Sequence, residues 1–115
     1  MQIILKDLPK ISLNKWYAGS HWTKRKEIKD IYTTLIKSQY NNILTKDSIY
    51  NVDYIFKFKK SPLDSSNCVA MLKMIEDIIF EDDNYNIIPK ISISSEKSNE
   101  DLVIINVYEL GKYKA

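Results

Sequence analysis

Residues 48–60 read SIYNVDYIFKFKK, and this stretch decides the fold. Tyr50, Val52, Tyr54, Phe56 and Phe58 alternate with Asn51, Asp53, Ile55, Lys57 and Lys59, the period-2 pattern of a strand with one apolar and one largely polar face. Ser61-Pro62-Leu63-Asp64-Ser65-Ser66-Asn67 then breaks the strand and offers several side chains able to cap a helix. Beyond it the period changes. Val69, Met71, Leu72, Ile75, Ile78 and Ile79 supply the apolar face of a helix expected over Asn67 to Ile79, while Ala70, Lys73 and Asp77 line up on another face.

Upstream, Ile28, Ile31, Tyr32, Leu35 and Ile36 recur at helical spacing behind Thr23, a candidate cap, and predict a helix to about Tyr40. Gln2 to Leu8 suits a first strand, and the punctuated stretch from Pro9 to Arg25 reads as a loop entering that helix. Downstream, Glu81-Asp82-Asp83-Asn84 forms an acidic turn. Strands are expected over Ile87–Ser94 and Leu102–Leu110, joined by the polar SEKSNED connector, and GKYKA reads as a frayed tail. The order β-α-β-α-β-β predicts an α/β (α+β) fold, one small domain over residues 1–115, with two helices packed on a mixed sheet.

Length and composition agree with one core. The chain has 115 residues, 44% of them apolar and 28% charged, well away from the composition of disordered chains. No apolar run reaches the roughly 18 residues that cross a bilayer, and no signal-peptide pattern opens the chain. A soluble, intracellular (cytoplasmic) protein is expected. One cysteine, Cys68, and one histidine, His21, exclude an internal disulfide and a Cys/His zinc site built from this chain alone. The formal net charge of +2 hides a polarity, because residues 1–62 carry 12 Lys+Arg against 5 Asp+Glu while residues 63–115 carry 5 against 10. A basic half can neutralise phosphates and an acidic half can hold a divalent cation. A solvated surface explains the same segregation.

The acidic half poses a geometric question. Asp64 precedes the central helix and Asp82 and Asp83 follow it, so at 1.5 Å per residue they lie about 20 Å apart if they merely cap its ends. Sharing one ion requires the loop holding Asp64 to fold back along the helix, or the turn after Ile79 to return toward it. Asp77 is then an intermediate ligand. Oxygen-only donors select hard cations such as Mg²⁺, which orient phosphodiesters and lower the pKa of water. Lys73, one turn from Asp77, can pair with the carboxylates or meet a charged transition state. The same residues also read as a solvated turn and an i,i+4 surface pair.

At these positions the sequence resembles the RusA family of Holliday junction resolvases, particularly its phage-borne members. The resemblance rests on Asp64-Ser-Ser-Asn67, Lys73, Asp77, Asp82-Asp83 and Asn84, with Leu8-Pro9, Ser12, Asn14, Tyr17 and the basic helix resembling the family's opening. It implies a homodimeric, Mg²⁺-dependent (or Mn²⁺-dependent) endodeoxyribonuclease acting on four-way junctions and other branched DNA, in a bacterial or phage-infected cell. By that resemblance Asp64 and Asp83 are metal ligands, Asn67 supports the site, and Lys73 lies near the scissile phosphate, with Asp82 and Asp77 as further ligands or orienters. Ser66 stands where the better-studied pattern has a second acidic residue. The step from Asn67 to Lys73 is also about one helical turn longer than in the bacterial pattern, so Lys73 is matched by role.

Lys24, Arg25, Lys26 and Lys29, extended by Lys57, Lys59 and Lys60, can follow a DNA backbone, and Trp16, Tyr17 and Trp22 can stack on unpaired bases. The aromatics equally suit a small core, and the lysines a solvated face. His21 can contact phosphate or be incidental. Cys68 reads as a buried small hydrophobe rather than a nucleophile.

Overall fold

The computed structural model describes residues 1–17 and 22–114, without the side chains of Tyr17 and Trp22. The expected roles of Tyr17, Trp22 and His21 therefore lie outside what is described. The order is β1 (Gln2–Lys6), α1 (Leu13–Tyr17), α2 (Trp22–Gln39), β2 (Ser48–Phe58), a 3-10 turn (Ser65–Cys68), α3 (Val69–Ile79), β3 (Lys90–Lys97) and β4 (Leu102–Lys112). The four strands form one mixed sheet ordered β1-β4-β2-β3. β4 runs antiparallel to both β1 and β2, while β3 is parallel to β2 and α3 lies in the crossover between them.

β2 organises the sheet as its alternation requires. Tyr50, Val52, Tyr54, Phe56 and Phe58 are buried, and the residues between them are partly exposed. Ile3 and Leu5 of β1 and Val103, Ile105 and Val107 of β4 continue the same buried layer. Onto it pack Tyr32 and Ile36 of α2 and Met71, Leu72, Ile75 and Ile79 of α3, forming one core. Full burial contributes about 1.5–3 kcal/mol per large apolar side chain, so this layer is the main term holding helices to sheet.

Several boundaries differ from the expected ones. α1 interrupts the expected loop, making three α-helices rather than two among the described residues; Ser12 starts it, its hydroxyl accepting the Lys15 N–H at 3.1 Å. α2 begins at Trp22, so Thr23 lies inside the helix and not at its cap. Ile31 points outward at 48% exposure, because the buried stripe of α2 is narrowed to Tyr32 and Ile36 with Ile28 and Leu35 beside it. β3 starts at Lys90, after Ile87 and Ile88 have been buried and the Tyr50 N–H has bonded the Ile87 carbonyl at 2.8 Å. The carboxyl end is not frayed at Gly111. β4 runs to Lys112, and Tyr113 packs on the core, its N–H bonded to the Asp47 carbonyl at 2.8 Å. Gly111, with φ +151°, lies where the β2–β4 register shifts, a backbone state that favours glycine.

Candidate functional site

The carboxyl end of α3 leads into a return turn. The Asp82 carboxylate accepts the Asn84 N–H at 3.0 Å, and the Asn84 side-chain oxygen accepts the Asn86 N–H at 2.8 Å, so two successive local bonds fold the chain back. The consequence is long in sequence and short in space. Asp83 reaches the Lys73 ammonium, Nζ to Oδ2 at 3.3 Å. The turn after Ile79 brings Asp83 to Lys73, while Asp64 stays at the other end of α3.

Asp83 also stands among carboxylates. Burial, then the charge of Asp83, raises the pKa of Asp77, with Lys73 and Lys29 opposing. Glu76, which sequence reasoning did not single out, is buried at 5% exposure. Its Oε1 accepts the Tyr54 hydroxyl at 3.0 Å. Burial pushes the Glu76 carboxyl up to about 7, with Asp83 and Asp77 adding to the rise and the Tyr54 hydrogen bond and Lys73 opposing it. Burial also holds the Tyr54 hydroxyl above its ordinary range, reinforced by Glu76. Partial burial pulls the Lys73 ammonium down, but Asp83 at contact, with Glu76 and Asp77 behind it, more than offsets this and leaves its pKa raised. Lys73, Glu76, Asp77, Asp83 and the Tyr54 hydroxyl therefore form one electrostatic unit.

Asp64 belongs to the other end of α3. It is exposed, it precedes the 3-10 turn without a side-chain capping bond, and its carbonyl accepts the Asn67 N–H at 2.8 Å. Its charge acts on Cys68, whose thiol is raised first by burial. Asn67, expected at a helix cap, lies within the 3-10 turn beside exposed Ser66. The helix proper begins only at Val69, after Ser95 has donated a hydrogen bond to the Leu63 carbonyl and tied the entry loop to β3. Ala70, expected on the Lys73–Asp77 face, is buried, because α1 and the 3-10 turn pack over the first turn of α3. Among the described residues no three histidine, cysteine or carboxylate side chains form a ready cage for a cation.

α2 lies beside this unit. A cleft of about 200 Å³ between α1, α2 and α3 is lined by Leu13, Trp16, Lys29, Lys73, Met74 and Asp77. The Arg25 guanidinium sits over the Trp16 ring, 5.6 Å from its centroid. Trp16 itself packs against the core, so it serves both core and cleft. Lys24 and Lys26 are exposed, with Lys26 near Asp30 at 3.9 Å, and Asn14 is exposed on α1. The remaining basic residues lie elsewhere. Lys57, Lys59 and Lys60 line a separate cavity of about 440 Å³ with Lys10, Asp101 and Met71, and Lys57 pairs with Glu96 at 3.2 Å. The basic residues thus form two groups.

No helix among the described residues is long and apolar enough to cross a membrane. No family model matches the chain, and no curated protein matches it.

Proposed function

We propose that the protein is a divalent-cation-dependent endodeoxyribonuclease acting on branched DNA as a homodimer, in the manner of the RusA-type resolvases that its sequence resembles. The observation that carries the reading is the contact of Asp83 with Lys73. Two residues of the motif, ten apart in sequence, meet on the exposed flank of α3, beside the cleft lined by Lys29.

The donor set suits Mg²⁺ or Mn²⁺. The charge of Asp83 raises the pKa of both Asp77 and Glu76, and a bound cation relieves that repulsion. Mg²⁺ commonly takes one or two protein carboxylates and completes its shell with water and substrate phosphate, so a prebuilt protein cage is not required. Asp83 would hold it, with Asp77 and Asp82 alongside, whereas Asp64 lies at the other end of α3; when bound it supplies Lewis-acid stabilisation and a more acidic water. Lys73 orients Asp83 and presents a positive charge to a phosphate. Lys29 and Arg25 neutralise neighbouring phosphates, and Tyr54 holds Glu76 under the unit.

A synthetic four-way junction incubated with protein and Mg²⁺ or Mn²⁺ tests this on a denaturing gel. Paired incisions are expected, abolished by Asp83→Asn and reduced by Lys73→Met. An intact junction with both the natural protein and Ser66→Asp refutes the enzymatic reading. The second reading, a junction-binding protein that does not cut, is favoured by the exposed hydroxyl of Ser66 at the position of an acidic residue. It predicts cutting only by Ser66→Asp, and binding that survives Asp83→Asn.

A further inference from the structure

The turn that brings Asp83 to Lys73 also carries a large side chain that the fold leaves unused. Tyr85 is 80% exposed, more than any other large apolar side chain among the described residues, and among those residues its ring meets no other ring and its hydroxyl no hydrogen-bond partner. The backbone around it is held. On the near side the Glu81 N–H donates to the Leu44 carbonyl and the Lys46 N–H to the Glu81 carboxylate, each at 2.9 Å. On the far side the N–H groups of Ile87 and Ile88 both donate to the Asn84 carbonyl, at 3.0 and 2.9 Å, and both side chains are buried. Trp16, expected to stack on bases, is engaged elsewhere, because it packs on the core with the Arg25 guanidinium over its ring.

We propose that Tyr85 is a stacking platform for an unpaired nucleobase, seating the base of a nucleotide whose phosphate lies at Asp83 and Lys73. Two residues separate Tyr85 from Asp83, so their Cα atoms are at most about 7 Å apart and the ring stands beside the phosphate position. The surroundings favour a base over a protein partner. Tyr85 is flanked by exposed Asn84 and Asn86 and followed by buried Ile87 and Ile88, so it is an isolated ring and not part of an apolar patch of the size that docks proteins. A lone ring matches a flat partner of its own size, and every base offers such a face. The fixed backbone leaves only two side-chain torsions to order when the ring is covered, which keeps the entropic cost of stacking low.

The platform deepens the nuclease reading and rests on it for the place of the phosphate. It adds what Asp83 and Lys73 lack, since a cation and an ammonium hold any phosphate, whereas a free ring holds only a base that has left its stack. Bases inside a duplex are covered on both faces by their neighbours, so the ring selects unstacked bases, as at a branch point, with little regard to sequence.

A four-way junction carrying one unpaired 2-aminopurine at its branch point, whose fluorescence falls when the base stacks, tests the platform, with a fully paired duplex as control. Binding is followed in Ca²⁺ in place of Mg²⁺, so that the carboxylates carry a cation. The natural protein is expected to bind the junction and quench the probe. Tyr85→Ala, with an unchanged circular dichroism spectrum, is expected to bind it about 5- to 100-fold more weakly without quenching, and Tyr85→Phe to retain both. All three proteins are expected to bind the duplex equally. No quenching by the natural protein, binding and quenching by Tyr85→Ala equal to the natural protein's, failure of Tyr85→Phe, or an equal loss on the duplex overturns the platform. Cutting of the junction in Mg²⁺ with the same kcat/KM by Tyr85→Ala as by the natural protein overturns the platform alone; quenching through Tyr85 without cutting overturns the nuclease reading alone.

Discussion

Replacing Glu76 by Gln gives the most direct test of the electrostatic unit, because it removes one titration and changes little else. Glu76 is 5% exposed, its partner is the Tyr54 hydroxyl, and a glutamine oxygen can accept the same bond at 3.0 Å. Burial lifts the carboxyl from an ordinary 4.5 to about 7. A pKa higher in the folded than in the unfolded chain means the folded state binds the proton more tightly. The associated stability is therefore complete below about pH 4.5 and is lost as pH rises through about 7. At about 1.4 kcal/mol per unit, the natural protein should be about 3 kcal/mol less stable at pH 8 than it would be with the site neutral. Glu76→Gln should recover most of that at pH 8, about 10 °C in Tm for a chain of this size, and change little at pH 4. Urea denaturation followed by circular dichroism, run in chelator from pH 4 to 9 on both proteins, measures the difference. Asp77 is raised too, and because its charge adds to the rise of Glu76 the difference curve reports the loss of Glu76 together with its coupling to Asp77. Parallel curves across the whole range, or a Gln variant less stable than the natural protein at pH 8, would refute the claim that Glu76 is ionised against its burial.

Tyr54→Phe should do the opposite, since it removes the donor that opposes the rise of Glu76. A loss of about 1–2 kcal/mol is expected at pH 8 and less at pH 4.5, read by the same denaturation series, with equal losses at both pH values counting against the hydrogen bond. Lys29→Ala should lower the salt dependence of junction binding by about one phosphate contact, a slope change of about 0.7–0.9 in log K against log salt, measured by fluorescence anisotropy. An unchanged slope would remove the α2–α3 cleft from the DNA path.

The fold was legible where periodicity is strict. Tyr50 through Phe58 lie in their expected places because one side of β2 is buried along its whole length, and a slip of one residue would turn five large side chains outward. Boundaries were legible where local chemistry alone sets them and not where distant contacts do. Lys112 remains in β4, and Tyr113 is held by a bond to Asp47, a partner no local pattern announces. The Asp83 return was legible only as a requirement. Spacing along α3 showed that the acidic ends need a fold-back to meet; the Asx bonds of Asp82 and Asn84, common to many turns, accompany the approach of Asp83 to Lys73 and leave Asp64 at the other end of the helix.

Glu76 was missed for a different reason, and the signal for it was present. Reading α3 by its apolar residues alone treats every carboxylate as exposed, yet position 76 follows Leu72 by one turn and precedes Ile79 by just under one, which places it on the buried stripe. Tyr54 lies on the buried side of β2 and carries a hydroxyl. A buried hydroxyl and a buried carboxylate on elements that share one core each cost about 1–3 kcal/mol if unmatched, so pairing them is the arrangement the sequence can best satisfy. That pairing brings the middle of α3 down onto β2 and leaves Lys73 and Asp77 on the flank to which Asp83 returns. The position of the candidate site on its helix is thus fixed from below by a polar contact in the core.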